Sequence, residues 1–486
     1  MASDTTLVAE TAPPPPPRTS VPSRLLGWAV VGVLVALLAD VLLEGWVQQL
    51  AGHWTRTPKG SELWVVADWP KTVKTALYVG LAVLTVAKVA VDARWRDFLT
   101  RADVALAGLG AVLVLSGLVG GSHPSLIGQA LFVYFRGVIV FYAWRALDPS
   151  PRTVRRVMLG LGGFLLLSAV IAIVQTVVGY PSYRWLGWTD LTWAKLNRAH
   201  ALFNHPNNLG HVLMLGLLGL LAWFAVRERV GRRWWVLFGV FAFGLSATQS
   251  RESTIGFALG ALVIWLLRRS ARKTIAVAAA IVVVCAGLQL AVSPANRAVL
   301  TGRVLGLFNA VAHPDSAEPY CVQGDPACPE GEGVPRREIR VLFAQQGLRI
   351  WAQHPVLGLG VGQFGGIVAY KDNPHWADKL GFRLHGAKPD QVDSFWLHLF
   401  VEVGVLGVLA YLVWLYFLVA PMVRARERVR CGRAFLLWGP AALVASVFIA
   451  LLSPSLEDPL YPPLLFTVLG LGWVALRRPA AEPGRG

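Results

Sequence analysis

Charge is scarce in this chain. Only 15% of its 486 residues are Asp, Glu, Lys or Arg, and the acids are the scarcer sign, 28 against 45 bases. So few charged side chains exclude an ordinary soluble enzyme, which has too little interior to hide the remaining apolar surface. They also exclude a disordered chain, which needs high charge and low hydrophobicity. Cysteine is rare as well, four in all, and no second close Cys or His pair accompanies any of them, which argues against a zinc site. A nucleotide-binding fingerprint inside a β-α-β unit is absent. No basic run with interleaved aromatics sits on a soluble segment, so the net charge of +17 does not imply a nucleic-acid partner.

Apolar residues dominate instead: 55% of the chain, with a mean hydropathy of +0.53. Runs of roughly 20 apolar residues recur from about residue 25 to residue 476, the length a helix needs to cross a bilayer. The expected fold is an all-α polytopic membrane protein. Twelve spans are expected, at about 25–43, 73–91, 102–121, 125–147, 154–178, 207–226, 234–249, 254–267, 275–292, 393–420, 434–452 and 461–476. The 20 Trp suit the headgroup level.

Residues 1–24 form a polar tail holding Pro13 to Pro17, which favours polyproline II and starts no core. The first apolar run begins too late and is too long for a cleavable signal, so the tail is expected to be cytoplasmic. Lys and Arg collect on one side of the spans, among them Arg94, Arg96, Arg101, Arg152, Arg155, Arg156, Arg227, Arg229, Arg232, Arg233, Arg268, Arg269, Arg272, Lys273, Arg424 to Arg433, Arg477 and Arg478. By the positive-inside rule that side is cytoplasmic, with both termini (1–24 and 477–486) on it. Spans one to nine then occupy 25–292 and spans ten to twelve 393–476. Residues 293–392 become one large outer loop in which 336–353 read as an amphipathic helix, on the membrane surface or roofing the bundle. In that oxidising place Cys321 and Cys328 are expected to pair.

The outer face gathers the unusual polar residues. Arg198, His205 and Asn207 lie in RAHALFNHPNN, before span six; the helix start there also wants a cap and a first-turn proline. Arg251 opens span eight in TQSRES and has the geometry to grip phosphate. Arg349 precedes a glycine-rich run, Gly358, Gly360 and Gly362, expected to let backbone N–H groups approach an anion. Asp393 stands at the mouth of span ten. Behind it Ser394, His398 and Glu402 fall on one helical stripe. Arg136, midway along span four, needs an acidic or phosphate partner, for which Glu402 is a candidate.

Four stretches in this order, FNHPNNLG at 203–210, SRESTIG at 250–256, HPVLGLGVGQF at 354–364 and DSFWLHLFVEVGVLG at 393–407, resemble the O-antigen ligase and Wzy-type polysaccharide polymerase superfamily. The span layout and the large outer loop fit it from about residue 150 to 476. The resemblance implies a C-type, metal-independent membrane glycosyltransferase of the bacterial plasma membrane, with no cofactor. It implies a polyprenyl-diphosphate-linked glycan as donor, a glycan hydroxyl as acceptor, and neighbouring polysaccharide-assembly membrane proteins as further partners. Arg251 and Arg349 map to the family arginines on the diphosphate; Arg198, His205, Asn207 and Glu402 complete the expected substrate site. Ligases of the family show His-Asn where this chain has Asp393-Ser394. That departure favours a polymerase and leaves Asp393 or His385 as the expected base. A ligase acting on a glycolipid or protein is the alternative; a polysaccharide transporter or a non-catalytic scaffold is the alternative of another class.

Overall fold

The computed structural model of the protein describes residues 20–56, 62–292, 339–381, 391–429 and 432–477. A helix stands at each of the twelve expected positions: α1 (Val21–Leu50), α2 (Trp69–Val91), α3 (Arg101–Val119), α4 (Pro124–Leu147) and α5 (Pro151–Val178). After the short α6 (Tyr180–Trp185) and α7 (Thr192–Lys195) come α8 (Pro206–Ala225), α9 (Arg232–Thr248), α10 (Arg251–Leu267) and α11 (Arg272–Val292). Then follow α12 (Ile339–Trp351), the short α13 (Ile367–Asp372) and α14 (Trp376–Lys379), and finally α15 (Phe395–Ala425), α16 (Arg433–Ile449) and α17 (Tyr461–Leu476). Eight of the described helices are long and apolar enough to cross a membrane. Helices α9, α10, α16 and α17 are shorter, at 16 or 17 residues. The protein is a multi-pass helical membrane protein.

One element departs from the all-α expectation. His53–Arg56 (β1) and Glu62–Val65 (β2) form a two-stranded antiparallel hairpin between α1 and α2. Trp54 faces Trp64 across it in an edge-on pair 5.3 Å apart. Each strand is too short for its alternation to stand out from the interfacial aromatics around it.

Helix starts follow from local chemistry. Pro70, Pro124, Pro151, Pro206 and Pro462 sit in first turns, where the missing N–H costs nothing. Ser150, Ser250 and Ser394 cap α5, α10 and α15 with their hydroxyls. The bundle is centred on α17, buried from Tyr461 to Ala475, which packs against α4 and α16. Helix α8 is also central, whereas α5 and α11 keep most of their apolar surface outward, towards lipid.

Above this core, α12 packs on α15. Phe343 joins Phe364, Trp376, Val392 and Val401 in a separate apolar cluster, and Trp351 stacks on Phe400 at 4.6 Å. The amphipathic helix therefore roofs the bundle. His385, Cys321, Cys328 and Cys431 lie outside the described residues; Cys285 is buried in α11.

The long α15 is broken at Gly404, whose φ of 67° and ψ of −168° are not helical. The glycine-rich run docks into this break. Leu359 and Gly360 donate their N–H groups to the Val401 and Glu402 carbonyls at 2.9 Å. In return Val405 and Leu406 donate to Pro355 and Val356 at 3.0 and 3.2 Å. The Leu359 and Gly360 N–H groups are thus spent on a helix backbone. Gly358 (φ 72°) and Gly404 approach each other's segments so closely that a Cβ on either would strike main-chain atoms.

Candidate functional site

The residues before α8 tie themselves into a compact corner. Arg198 donates through Nε to the Thr248 carbonyl (3.0 Å) and through Nη2 to Asn207 Oδ1 (2.7 Å), with its guanidinium over the Trp193 ring. His205 caps α8 by accepting from the Asn207 N–H at 3.1 Å, and its ring meets Trp193 edge-on at 4.5 Å. Arg198, His205 and Asn207 therefore come together, as one network joining the end of α9 to the start of α8. Burial pushes the His205 imidazole down to about 3, helped by the neighbouring Arg198 guanidinium. His200 is held down at about 4 by burial between Tyr183 and Trp188.

Directly after Thr248, whose carbonyl accepts from Arg198, the chain turns at Gln249 (φ 53°) and enters α10 at Arg251. Arg251 is exposed and makes no hydrogen bond or ion pair with a described residue. A cation at a helix N-terminus opposes the helix dipole unless an anion neutralises it. The next residue, Glu252, is buried and lies 3.0 Å (Oε1) from His211 Nε2.

Asp393 is half-exposed and faces Arg340 of α12 across 3.4 Å. Burial raises its carboxyl above the usual carboxylate range, with Glu252 adding to the rise and Arg340 opposing it. Asp393 and Glu252 are therefore close enough to feel each other's charge. Arg349 is exposed in the last turn of α12, about 14 Å along the helix from Arg340.

Glu402 lies apart from that opening. It is buried, accepts the Phe364 N–H at 2.9 Å, and shares its helix face with His398, 4.0 Å away. His398 in turn reaches Glu457 Oε1 at 3.1 Å. This carboxylate anchors the glycine-rich run, which is a positioning task. Nor does Glu402 partner Arg136. The Arg136 guanidinium donates to the Glu457 backbone carbonyl, and its charge is felt by Asp458, Lys74 and Lys371.

Sequence reasoning gave Glu252 no role beyond a pairing with Arg251 in the TQSRES turn, and it missed His211, Glu457 and the Lys74–Glu44 pair buried between α1 and α2. Glu252 stood beside Arg251 in a stretch already singled out. His211 followed FNHPNNLG by one residue, on the helix that stretch begins.

Comparison with known families gives one match: residues 236–412 fit the family described as O-Antigen ligase. The matched segment runs from α9 into α15 and holds Arg251, Glu252, Arg349 and Asp393. No curated protein matches the chain.

Proposed function

From the match of residues 236–412 to the O-antigen ligase family we propose that the protein transfers glycan from a polyprenyl diphosphate to an acceptor hydroxyl on the outer side of the plasma membrane. Metal independence belongs to the same reading. The observation that carries it is Arg251: a guanidinium exposed at the start of α10, with no partner among the described residues, inside the matched domain.

In this reaction the acceptor oxygen attacks the anomeric carbon of the donor sugar. The bond from that carbon to the diphosphate oxygen breaks, and the diphosphate leaves with the electron pair. Arginines can neutralise the charge that develops on the leaving group. Arg251 and Arg349 take this role, and the Arg198–His205–Asn207 corner is tied to Thr248, three residues before Arg251. The acceptor hydroxyl loses its proton to a base at the same opening, for which Asp393 and His385 are the groups read from sequence.

Asp393-Ser394, where family ligases carry His-Asn, favours polymerisation of repeat units. The family description favours ligation to a different acceptor. Reconstitution of the full chain with a polyprenyl-diphosphate glycan separates the two. Lengthened glycan on the lipid marks a polymerase, and transfer to an added glycolipid or protein marks a ligase. An unchanged donor under both conditions overturns the reading.

A further inference from the structure

At Gly210 the first turns of α8 and α10 come close together. A Cβ there would lie 2.8 Å from both Ser250 Cβ and Ser253 Oγ, so glycine is what permits the approach. The residue that follows it, His211, is thereby brought onto Glu252. Their 3.0 Å contact joins two side chains that are 3% and 6% exposed as residues. The imidazole also lies edge-on to Tyr461, 5.4 Å between ring centres.

A carboxylate held against one imidazole nitrogen fixes the tautomer. Nε2 carries the hydrogen donated to Glu252, and Nδ1 keeps its lone pair. Neither His211 Nδ1 nor Glu252 Oε2 hydrogen-bonds a described residue, and neither is among the sealed polar atoms without a partner. The pair also borders the site. Arg251 is adjacent in sequence, and Glu252 is felt by Asp393.

We propose that His211, oriented by Glu252, is the base that takes the proton of the acceptor hydroxyl. This rests on the glycosyl-transfer reading above and names the proton acceptor within it. The hydroxyl proton passes to Nδ1 as its oxygen bonds to the anomeric carbon and the diphosphate departs. The imidazolium then returns the proton to the released diphosphate or to water. Glu252 is a positioning residue, and Asp393 serves by holding Arg340. The imidazole that family ligases carry at the mouth of α15 is here supplied by α8. Imidazole is also the side chain best matched to accepting a proton near neutral pH.

The experiment uses the full chain in liposomes with a polyprenyl-diphosphate glycan. His211→Ala is expected to lower transfer by about 100-fold or more, as removal of a general base does. Binding of labelled donor should stay within twofold, and added imidazole should restore at least tenfold of the lost rate. Glu252→Gln should lower kcat while leaving the donor KM unchanged. Transfer by His211→Ala within threefold of the unsubstituted protein overturns the proposal, and so does loss that imidazole does not restore. If the unsubstituted protein itself leaves the donor unchanged, the glycosyl-transfer reading fails and the proposal falls with it.

Discussion

Phe364 donates its backbone N–H to the buried Glu402 carboxylate at 2.9 Å, which fastens the glycine-rich run to the helix that Gly404 interrupts. The bond links two segments 38 residues apart. Ser116 of α3 adds to it by donating to the Glu402 carbonyl at 2.8 Å. The glycine-rich run, α3 and α15 are thereby locked together at Glu402.

This lock makes Gly358 a stability position. An alanine there would sit at φ 72° with its Cβ against the Glu402 main chain. Strain of that kind costs on the order of 1–3 kcal/mol. Gly358→Ala should lower the melting temperature of the purified protein by roughly 1–3 °C. An unchanged melting temperature would show that the run docks more loosely than these contacts imply.

Much of the fold was legible because span length is a local property of the chain. The corner before α8 was legible too: Pro206 and its neighbours announce a helix start, and Arg198 and Asn207 lie only nine residues apart. What the glycine run docks against was not legible, for a physical reason. Glycines report that a backbone must approach something closely, but not what it approaches, and here the partner is a broken helix turn over 40 residues away. Arg136 pairs with a carbonyl 321 residues distant, beyond any spacing rule. His211 looked like one polar residue in an apolar helix, and only the close packing at Gly210 reveals its acid.

Orientation gives a second prediction. With Cys285, Cys321, Cys328 and Cys431 changed to Ser, a membrane-impermeant thiol reagent applied from outside should label Asp372→Cys and spare Arg428→Cys. Both positions are exposed, so accessibility does not decide the result. Asp372 ends α13 in the outer cap, and Arg428 lies in the basic turn after α15, on the side expected to face the cytoplasm. The reverse pattern would place the arginine-lined site on the cytoplasmic side, where the proposed reaction cannot occur.

The corner before α8 should loosen in acid. His200 is held down at about 4 and His205 at about 3, both chiefly by burial. An unfolded histidine titrates near 6.5. The folded state therefore keeps its full stability above about pH 6.5 and loses it as the pH falls towards 4. For His200, which is 1% exposed, the loss approaches about 3 kcal/mol at the lower end. Hydrogen exchange of the amides of residues 197–205 should accelerate progressively below pH 6.5. His200→Gln, which cannot acquire the charge, should flatten that dependence. Protection that is constant from pH 7.5 to 4.5 would mean that the corner admits imidazolium without opening.

Arg251 offers the most direct test of the donor site. Its guanidinium is exposed at the N-terminus of α10 and finds no partner among the described residues, so nothing in the described fold depends on it. Arg251→Ala should leave the melting temperature near that of the unsubstituted protein. Loss of a charge-assisted contact to the leaving diphosphate should cost on the order of 2–4 kcal/mol, or roughly 30- to 1000-fold in transfer rate. Arg251→Lys should recover little of this. An ammonium keeps the charge but loses the planar fork that grips two phosphate oxygens at once. Arg349→Ala, on the roof helix, should act in the same direction, and the double variant shows whether the two act on one group. Losses that multiply mean independent contacts; a double variant no worse than Arg251→Ala means that both arginines serve the same phosphate. Near-normal transfer by Arg251→Ala would remove it from the donor site and leave the diphosphate to Arg349 and Arg340 on α12.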